Sequence, residues 1–424
     1  MLYSILRLII GSGLRLYFRR IETQGLQRLE GSGPLIIIAN HTNALTDPLL
    51  LGVLLKRRIH FFVRGDVFEN KLARALFTHL GMMPVYRLQD GREKLSGNEA
   101  SNRQAIQILK EGGALLIFAE GSSNEQKVMR PVKKGPFRLA VEAAQTLPVP
   151  PPIVPLGINY LEPEQAGTTA WLLAGPPLSW PENIPAGENA RLSLALMQNA
   201  TLAFPPLTLH AGTAERAAIA ETLLLLCKNT KSRQQGKEGY FSFKVAQQLL
   251  QRLALLPHTE FVDLCKKAKA YEVLQQQLGL KENAFKKSPA AELWTSAVLG
   301  AAVWLPALIF HWPVTALSRY IVQRTVKSPD FISSIHVLSL TFLNLIWYSL
   351  ALVLLSVLWS FTGALLLLLA LACCGIVAHT VLLPALHQLR QQLRLGRLAK
   401  TRKEPFIKLL SLRQELIAWL SAAD

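Results

Sequence analysis

Acidic side chains are scarce in this sequence. The 424 residues include 28 Asp and Glu against 46 Lys and Arg, a formal net charge of +18. No acidic cluster of the kind that holds a metal is visible, and the positive balance favours an anionic partner. Cysteine is scarcer still. Cys227, Cys265, Cys373 and Cys374 show no metal-ligand spacing, and the adjacent pair lies inside an apolar run as small packing residues. A reducing, cytoplasmic setting follows. Charge is missing altogether from Phe331 to Leu389, which argues against a buried helical bundle there and for membrane segments. No repeat of fixed period is present. No cleavable leader is expected, because Arg7, Arg15, Arg19 and Arg20 interrupt the first apolar residues and no small-residue cleavage site follows.

Half of the residues are hydrophobic and the mean hydropathy is +0.25, with the excess concentrated towards the C-terminus. Beside apolar segments, lipid headgroups suit the positive charge best. Nucleic acid fits poorly, because aromatic residues do not interleave with the basic runs.

Residues 1–20 place Leu2, Ile5, Leu6, Ile9, Ile10, Leu14 and Tyr17 near one helical face flanked by arginines. This suits a helix lying in the membrane interface; a terminal helix packed on a core is the other reading. From 34 to about 160, strand and helix patterns alternate. Strands are predicted at 34–39, 59–64, 83–87, 114–118 and 152–159, with a short one at 168–174. Helices are predicted at 48–57, 69–80, 97–112 and 136–146. The class is α/β, a central buried sheet flanked by helices. Residues 21–180 form this domain. A helical accessory region, 181–292, follows, with helices at 188–203, 213–228, 241–255 and 259–280. Its basic run Lys228–Lys237 reads as a mobile loop.

The runs 335–360 and 361–386 are each long enough to cross a hydrocarbon core of about 30 Å. A short Ser-Phe-Thr-Gly turn, 360–363, joins them into a C-terminal transmembrane hairpin. The shorter run 294–312 contains Pro306 and reads as re-entrant or interfacial, with three crossings as the rival. Basic residues flank these runs, including Lys286, Arg319, Arg390 and Arg394. The positive-inside rule puts those loops, the catalytic domain and the basic tail 391–424 in the cytoplasm.

The most informative stretch is Asn40-His41-Thr42-Asn43-Ala44-Leu45-Thr46-Asp47-Pro48. It lies between the apolar runs Pro34–Ala39 and Leu49–Leu55, so a buried strand, a polar turn and a helix are expected in that order. Pro48 suits a first helical turn and puts Asp47 at the N-cap. His41 and Asp47 would diverge by about 120° on one straight helix. A bend between strand and helix lets them meet as a general base and its orienting carboxylate. A polar turn with an ordinary capping aspartate fits the same residues.

Three further blocks carry polar chemistry. Gly81-Met82-Met83-Pro84-Val85-Tyr86-Arg87 ends on a guanidinium able to clamp a phosphate; a solvated strand-end arginine is the favoured reading from the feature alone. Phe118-Ala119-Glu120-Gly121-Ser122-Ser123 follows an apolar strand. There Gly121 lets a ligand approach the backbone, and Ser122 can bond a substrate oxygen. Lys133-Lys134-Gly135 precedes a helix and could receive an anion at its N-terminus.

In their order, these blocks and Val154-Pro155 resemble the glycerolipid acyltransferase superfamily, the lysophosphatidate acyltransferase-like enzymes. The resemblance covers about residues 20–180. It implies that His41 and Asp47 are the catalytic pair, that Arg87 binds the acceptor phosphate with Lys134 as a lesser candidate, and that Glu120, Gly121 and Ser122 line the substrate site. Five residues separate His41 from Asp47 where four are usual, and Ser123 stands where the third block usually has arginine. Both features are similar to the glycerol-3-phosphate and dihydroxyacetone-phosphate acyltransferases related to the fungal enzymes.

The resemblance further implies a fatty acyl donor, acyl-CoA or acyl carrier protein, used as a substrate with no cofactor and no metal. The acceptor is a glycerol-phosphate or lysophospholipid, and membrane lipids are partners. A non-catalytic lipid-binding membrane scaffold derived from the same family is the competing expectation.

Overall fold

Unbroken apolar runs, rather than alternating ones, mark strands covered on both faces. Two such runs, β2 (Leu35–Ala39) and β5 (Ala114–Phe118), lie beside β6 (Ile153–Tyr160), which is buried along its whole length, at the centre of a seven-stranded sheet. The other strands are β1 (Arg20–Gln24), β3 (Ile59–Arg64), β4 (Met82–Val85) and β7 (Thr169–Ala174), in the order β1-β7-β6-β2-β5-β3-β4. Only the β6–β7 pair is antiparallel. Ala39 pairs with Phe118 on one side and Leu156 on the other. The carboxyl ends of β2 and β5 therefore meet, with β6 continuing past them to Tyr160, and the carboxyl ends of strands are where open α/β sheets place their ligands.

This computed structural model describes residues 2–86, 93, 96–185, 187–234, 241–285, 290–326, 331–377, 383–401 and 404–422. It divides into two compact units. The first holds the sheet and spans residues 1–125, 129–208 and 328–334. Its helices are α1 (Leu2–Tyr17), α2 (Thr46–Leu54), α3 (Lys71–His79), α4 (Gly97–Lys110), α5 (Gly135–Ala144) and α6 (Asn189–Ala203). Ile36 and Ile38 of β2 and Leu115 and Ile117 of β5 pack with Leu109 of α4, Phe137 and Leu139 of α5, and Leu196 of α6. Each such side chain contributes about 1.5–3 kcal/mol on burial. Gly157 in β6 allows the backbone at Leu207 to lie directly against the strand; a Cβ there would run into the Leu207 carbonyl.

The strand β1 has no counterpart in the sequence expectations. Its residues, RIETQ, show too little apolar character to stand out, and pairing with β7 holds it at the sheet edge. The first helix differs from a purely interfacial one. It packs along α2, where a Cβ on Gly11 would lie 3.0 Å from Val53, and Arg7 donates to the Val53 carbonyl at 3.0 Å. Leu14 and Tyr17 are buried, while Ile5, Leu8 and Leu16 are exposed. One face thus docks on the sheet unit and the other presents apolar side chains to the surroundings.

The second unit holds residues 126–128, 209–327 and 335–424. It is helical: α7 (Ala214–Gln234), α8 (Phe243–Leu255), α9 (His258–Leu278), α10 (Ala290–Thr325), α11 (Ile332–Leu358, beginning in the first unit), α12 (Phe361–Val377), α13 (Leu383–Thr401) and α14 (Glu404–Ser421). The first part of the run expected as a mobile loop, through Gln234, continues α7; residues 235–240 lie outside the described ones.

The segment expected to be re-entrant, 294–312, belongs to the 36-residue α10, which passes through Pro306 and Pro313. Each proline removes one ladder bond, and packing against neighbouring helices sustains such a helix; His311 of α10 lies tightly against Gly375 of α12. The basic tail is helical as well. Arg413 of α14 bonds Glu282 at 2.6 Å, and Arg252 of α8 sits 4.1 Å over the Trp419 ring. Among the described residues, one helix is long and apolar enough to cross a membrane, Ser334–Leu358, and Phe361–Ile376 is a shorter apolar one.

Candidate active site

Asn40 to Asp47 make the turn from β2 into α2, and side chains bolt this turn to β6. Asn40 Oδ1 accepts the Ile158 N–H at 2.7 Å, and its Nδ2 donates to the Ile158 carbonyl at 2.9 Å. Thr42 Oγ1 donates to the same carbonyl at 2.9 Å. The chain is thereby bent back so that His41 Nδ1 lies 2.9 Å from Asp47 Oδ2. The helix starts at Thr46, earlier than its apolar run suggests, so Asp47 falls inside the first turn instead of at the N-cap. Its carboxylate turns back over the loop and accepts the Thr42 and Asn43 N–H groups, both at 2.9 Å.

Asp47 is fully buried, and its other oxygen accepts the Tyr160 hydroxyl at 2.6 Å. Burial, followed by the Asp47 charge, pushes the Tyr160 hydroxyl well above its ordinary value, so it remains a donor. A carboxylate accepts only, so Nδ1 of His41 carries the hydrogen and Nε2 is the basic nitrogen. The imidazole stacks on Phe118, with centroids 3.7 Å apart and planes 11° from parallel. Its side chain is 12% exposed, against 0% for Asp47. An apolar ring fixes one face of the base, and a hydrogen-bonded carboxylate fixes its tautomer.

Glu120 follows β5, the strand next to β2. Its carboxylate is directed at the backbone: Oε1 accepts the His41 N–H at 2.9 Å and Oε2 accepts the Arg130 N–H at 2.8 Å. Burial raises its carboxyl above the ordinary value, and those two N–H groups oppose the shift. Gly121 has φ +74°, a conformation that favours glycine. Ser122 Oγ accepts from Arg130 Nη1 at 2.8 Å, and the same guanidinium donates to the carbonyls of Ser122 and Ser123. Lys134 is exposed and sits at the N-terminus of α5. Arg87 lies outside the described residues. Among the described residues, no three His, Cys, Asp or Glu side chains gather as metal ligands would.

Geometry therefore brings His41, Asp47 and Glu120 together, with Gly121 and Ser122 on the adjoining turn. It adds Tyr160 and Arg130, which no sequence motif includes, and gives roles to Phe118 and Asn43, which the motifs include without a role. The one available signal was position: Tyr160 and Phe118 each end an apolar strand whose neighbour carries the polar turn.

This strand–turn–helix site, on a mostly parallel sheet, lies in a segment with known relatives. Residues 20–159 match the Acyltransferase family model. That segment is similar to lysophosphatidate acyltransferase-like proteins. Among similar proteins are an uncharacterized acyltransferase of Schizosaccharomyces pombe and the 1-acyl-sn-glycerol-3-phosphate acyltransferase alpha of Mus musculus. The first is 23% identical over 39% of this chain and 37% of its own length. The second is 26% identical over 36% of this chain and 50% of its own length. The chain thus spans half or less of these two relatives. The crystal structure of the 1-acyl-sn-glycerophosphate acyltransferase PlsC from Thermotoga maritima has a TM-score of 0.32 and 19% identity, covering 47% of this chain and 79% of that one.

Proposed function

We propose that this protein is a membrane-bound O-acyltransferase of phospholipid synthesis. It moves a fatty acyl group from acyl-CoA or acyl carrier protein to a hydroxyl of 1-acylglycerol-3-phosphate or glycerol 3-phosphate. The observation that carries the reading is the 2.9 Å contact between a partly exposed imidazole and a buried carboxylate.

In this reading Nε2 of His41 removes the acceptor's hydroxyl proton as its oxygen attacks the thioester carbonyl carbon. The carbon–sulfur bond then breaks, and the departing sulfur takes the proton back from the imidazolium as a thiol. Asp47 holds the imidazole and stabilises its charged form. Glu120 fixes the backbone of His41 from behind. Arg87 and Lys134 bind the acceptor phosphate, while Gly121 and Ser122 border the glycerol.

The membrane part of the reading is a multi-pass C-terminus with crossings at 335–360 and 361–386 and the catalytic unit on the cytoplasmic face. The long apolar helix Ser334–Leu358 supports it, as do the apolar side chains that α1 exposes.

The test is an assay of purified full-length protein with glycerol 3-phosphate, dihydroxyacetone phosphate, lysophosphatidate and lysophospholipids, each with both thioester donors. General-base catalysis supplies a factor of about 10²–10⁴, so His41→Ala lowers kcat by that amount with the fold intact. Full turnover by His41→Ala would end the proposal.

A further inference from the structure

The turn that carries His41 and Asp47 is not completed by the segment that matches the acyltransferase family. Asn43 stands between the two residues, and its N–H donates to Asp47 Oδ2 at 2.9 Å. Its side-chain oxygen faces the other way. There it accepts the Ser334 hydroxyl at 2.6 Å and the Thr46 N–H at 3.2 Å. Ser334 has one hydroxyl proton and gives it to Asn43, so its oxygen is an acceptor towards Thr46. Thr46 supplies its N–H at 3.1 Å and its hydroxyl at 3.0 Å.

Asn43, Thr46 and Ser334 thus close a ring of hydrogen bonds, and all three are buried. Polar groups out of contact with water are costly to leave unpaired, and a closed ring of them holds one arrangement of the backbone. Ser334 lies in the first turn of α11, far beyond residue 159, where the family match ends.

We infer that Ser334 is a positioning residue for the His41–Asp47 pair: through Asn43 and Thr46 it sets the bend that holds imidazole and carboxylate at contact distance. The inference rests on the acyl-transfer reading above. Its mechanism is geometric. Without the Ser334 hydroxyl, Asn43 Oδ1 loses its shortest donor and Thr46 loses an acceptor for its hydroxyl. The loop can then relax, and Asn43 carries the N–H that bonds Asp47. Base strength and substrate contacts are not touched directly, so the loss falls on turnover. Ser334 also begins the one helix among the described residues that is long and apolar enough to cross a membrane. A C-terminal segment outside the family domain therefore helps to form the site.

The test compares Ser334→Thr with Ser334→Val in full-length protein, since the two side chains share a shape and differ in the hydroxyl. Wild type and both variants are assayed for kcat and for KM of each substrate. The expected result is that the Thr variant keeps at least about a third of wild-type kcat and the Val variant falls at least about tenfold below it, a difference near 1.4 kcal/mol. KM values stay within about twofold. In a double-mutant cycle, Ser334→Val combined with Asn43→Ala loses little more than either change alone, because both act through one contact.

Equal kcat in the Thr and Val variants, or losses that multiply in the cycle, overturns the inference. If neither variant folds, oxidation of a Thr46→Cys/Ser334→Cys pair reads the contact itself. An intrachain cross-link between those positions supports the placement, and its absence overturns it. Failure of the acyl-transfer reading is recognised separately, as no turnover by wild type or full turnover by His41→Ala.

Discussion

Replacing Tyr160 by phenylalanine removes a single oxygen from the centre of the site, and its consequence follows from the geometry. Tyr160 is buried and donates to Asp47 Oδ1 at 2.6 Å, while Asp47 itself has no exposure to solvent. The variant ring keeps its stacking on Phe18, at 5.6 Å between centroids. Only the hydroxyl is lost, and one buried carboxylate oxygen loses that donor. Hydrogen bonds to charged groups are worth about 1.5–3 kcal/mol. For a unit of this size, about 2 kcal/mol corresponds to a fall of about 4–8 °C in Tm.

Activity responds differently. Oδ2 keeps His41, Thr42 and Asn43 as donors, so the imidazole stays oriented and kcat falls by less than about tenfold, short of the factor expected for losing the base itself. Thermal unfolding of wild type and Tyr160→Phe, followed in the same preparations as initial-rate assays, measures both. An unchanged Tm would refute the reasoning, because it would mean that the hydroxyl was never satisfying the carboxylate.

Two further outcomes follow from buried groups beside the same site. Burial raises the Glu120 carboxyl. Its contribution to stability is therefore full below the ordinary value of about 4.5 and is lost as pH rises through the raised value. The stability advantage of wild type over Glu120→Gln should shrink in thermal melts as pH rises above about 4.5, and an advantage that grows with pH there would contradict the assignment. Gly157→Ala drives a methyl group into the Leu207 carbonyl and should cost about 3 kcal/mol in denaturant unfolding. Gly135→Ala, whose added methyl meets nothing within 4 Å, serves as a control and should cost nothing measurable.

Much of the sheet can be read from composition, because β2 and β5 are buried on both faces and spell it out in unbroken apolar runs, and β6 is mostly apolar as well. The bend at 40–47 is legible for a related reason: a polar stretch between two such runs has to leave the core and return. β1 is not legible, since an edge strand of mixed polarity owes its conformation to β7. α2 starts earlier than the sequence predicts because Pro48 suits several positions in a first turn, and the side chains of the loop select among them.

Glu120 shows a different limit. A glutamate after an apolar strand looks like a pocket floor, yet both oxygens are turned onto backbone N–H groups, a choice that depends on where His41 and Arg130 pass. Tyr160 and Ser334 lie far from His41 in sequence, and neither carries a local pattern that predicts its partner. In the C-terminal region, apolar length is plain from the sequence. The continuity of α10 through two prolines is not, because it depends on packing against α12.

The pairing of β1 with β7 has a consequence for how the chain comes off the ribosome. Arg20–Gln24 is synthesised early, but its neighbour is Thr169–Ala174. While the intervening residues are being translated, that first strand waits with its hydrogen-bonding edge uncovered. Long-range pairing of this kind slows folding and lengthens exposure to aggregation. A nascent chain halted before residue 169 should therefore be the species most in need of a chaperone.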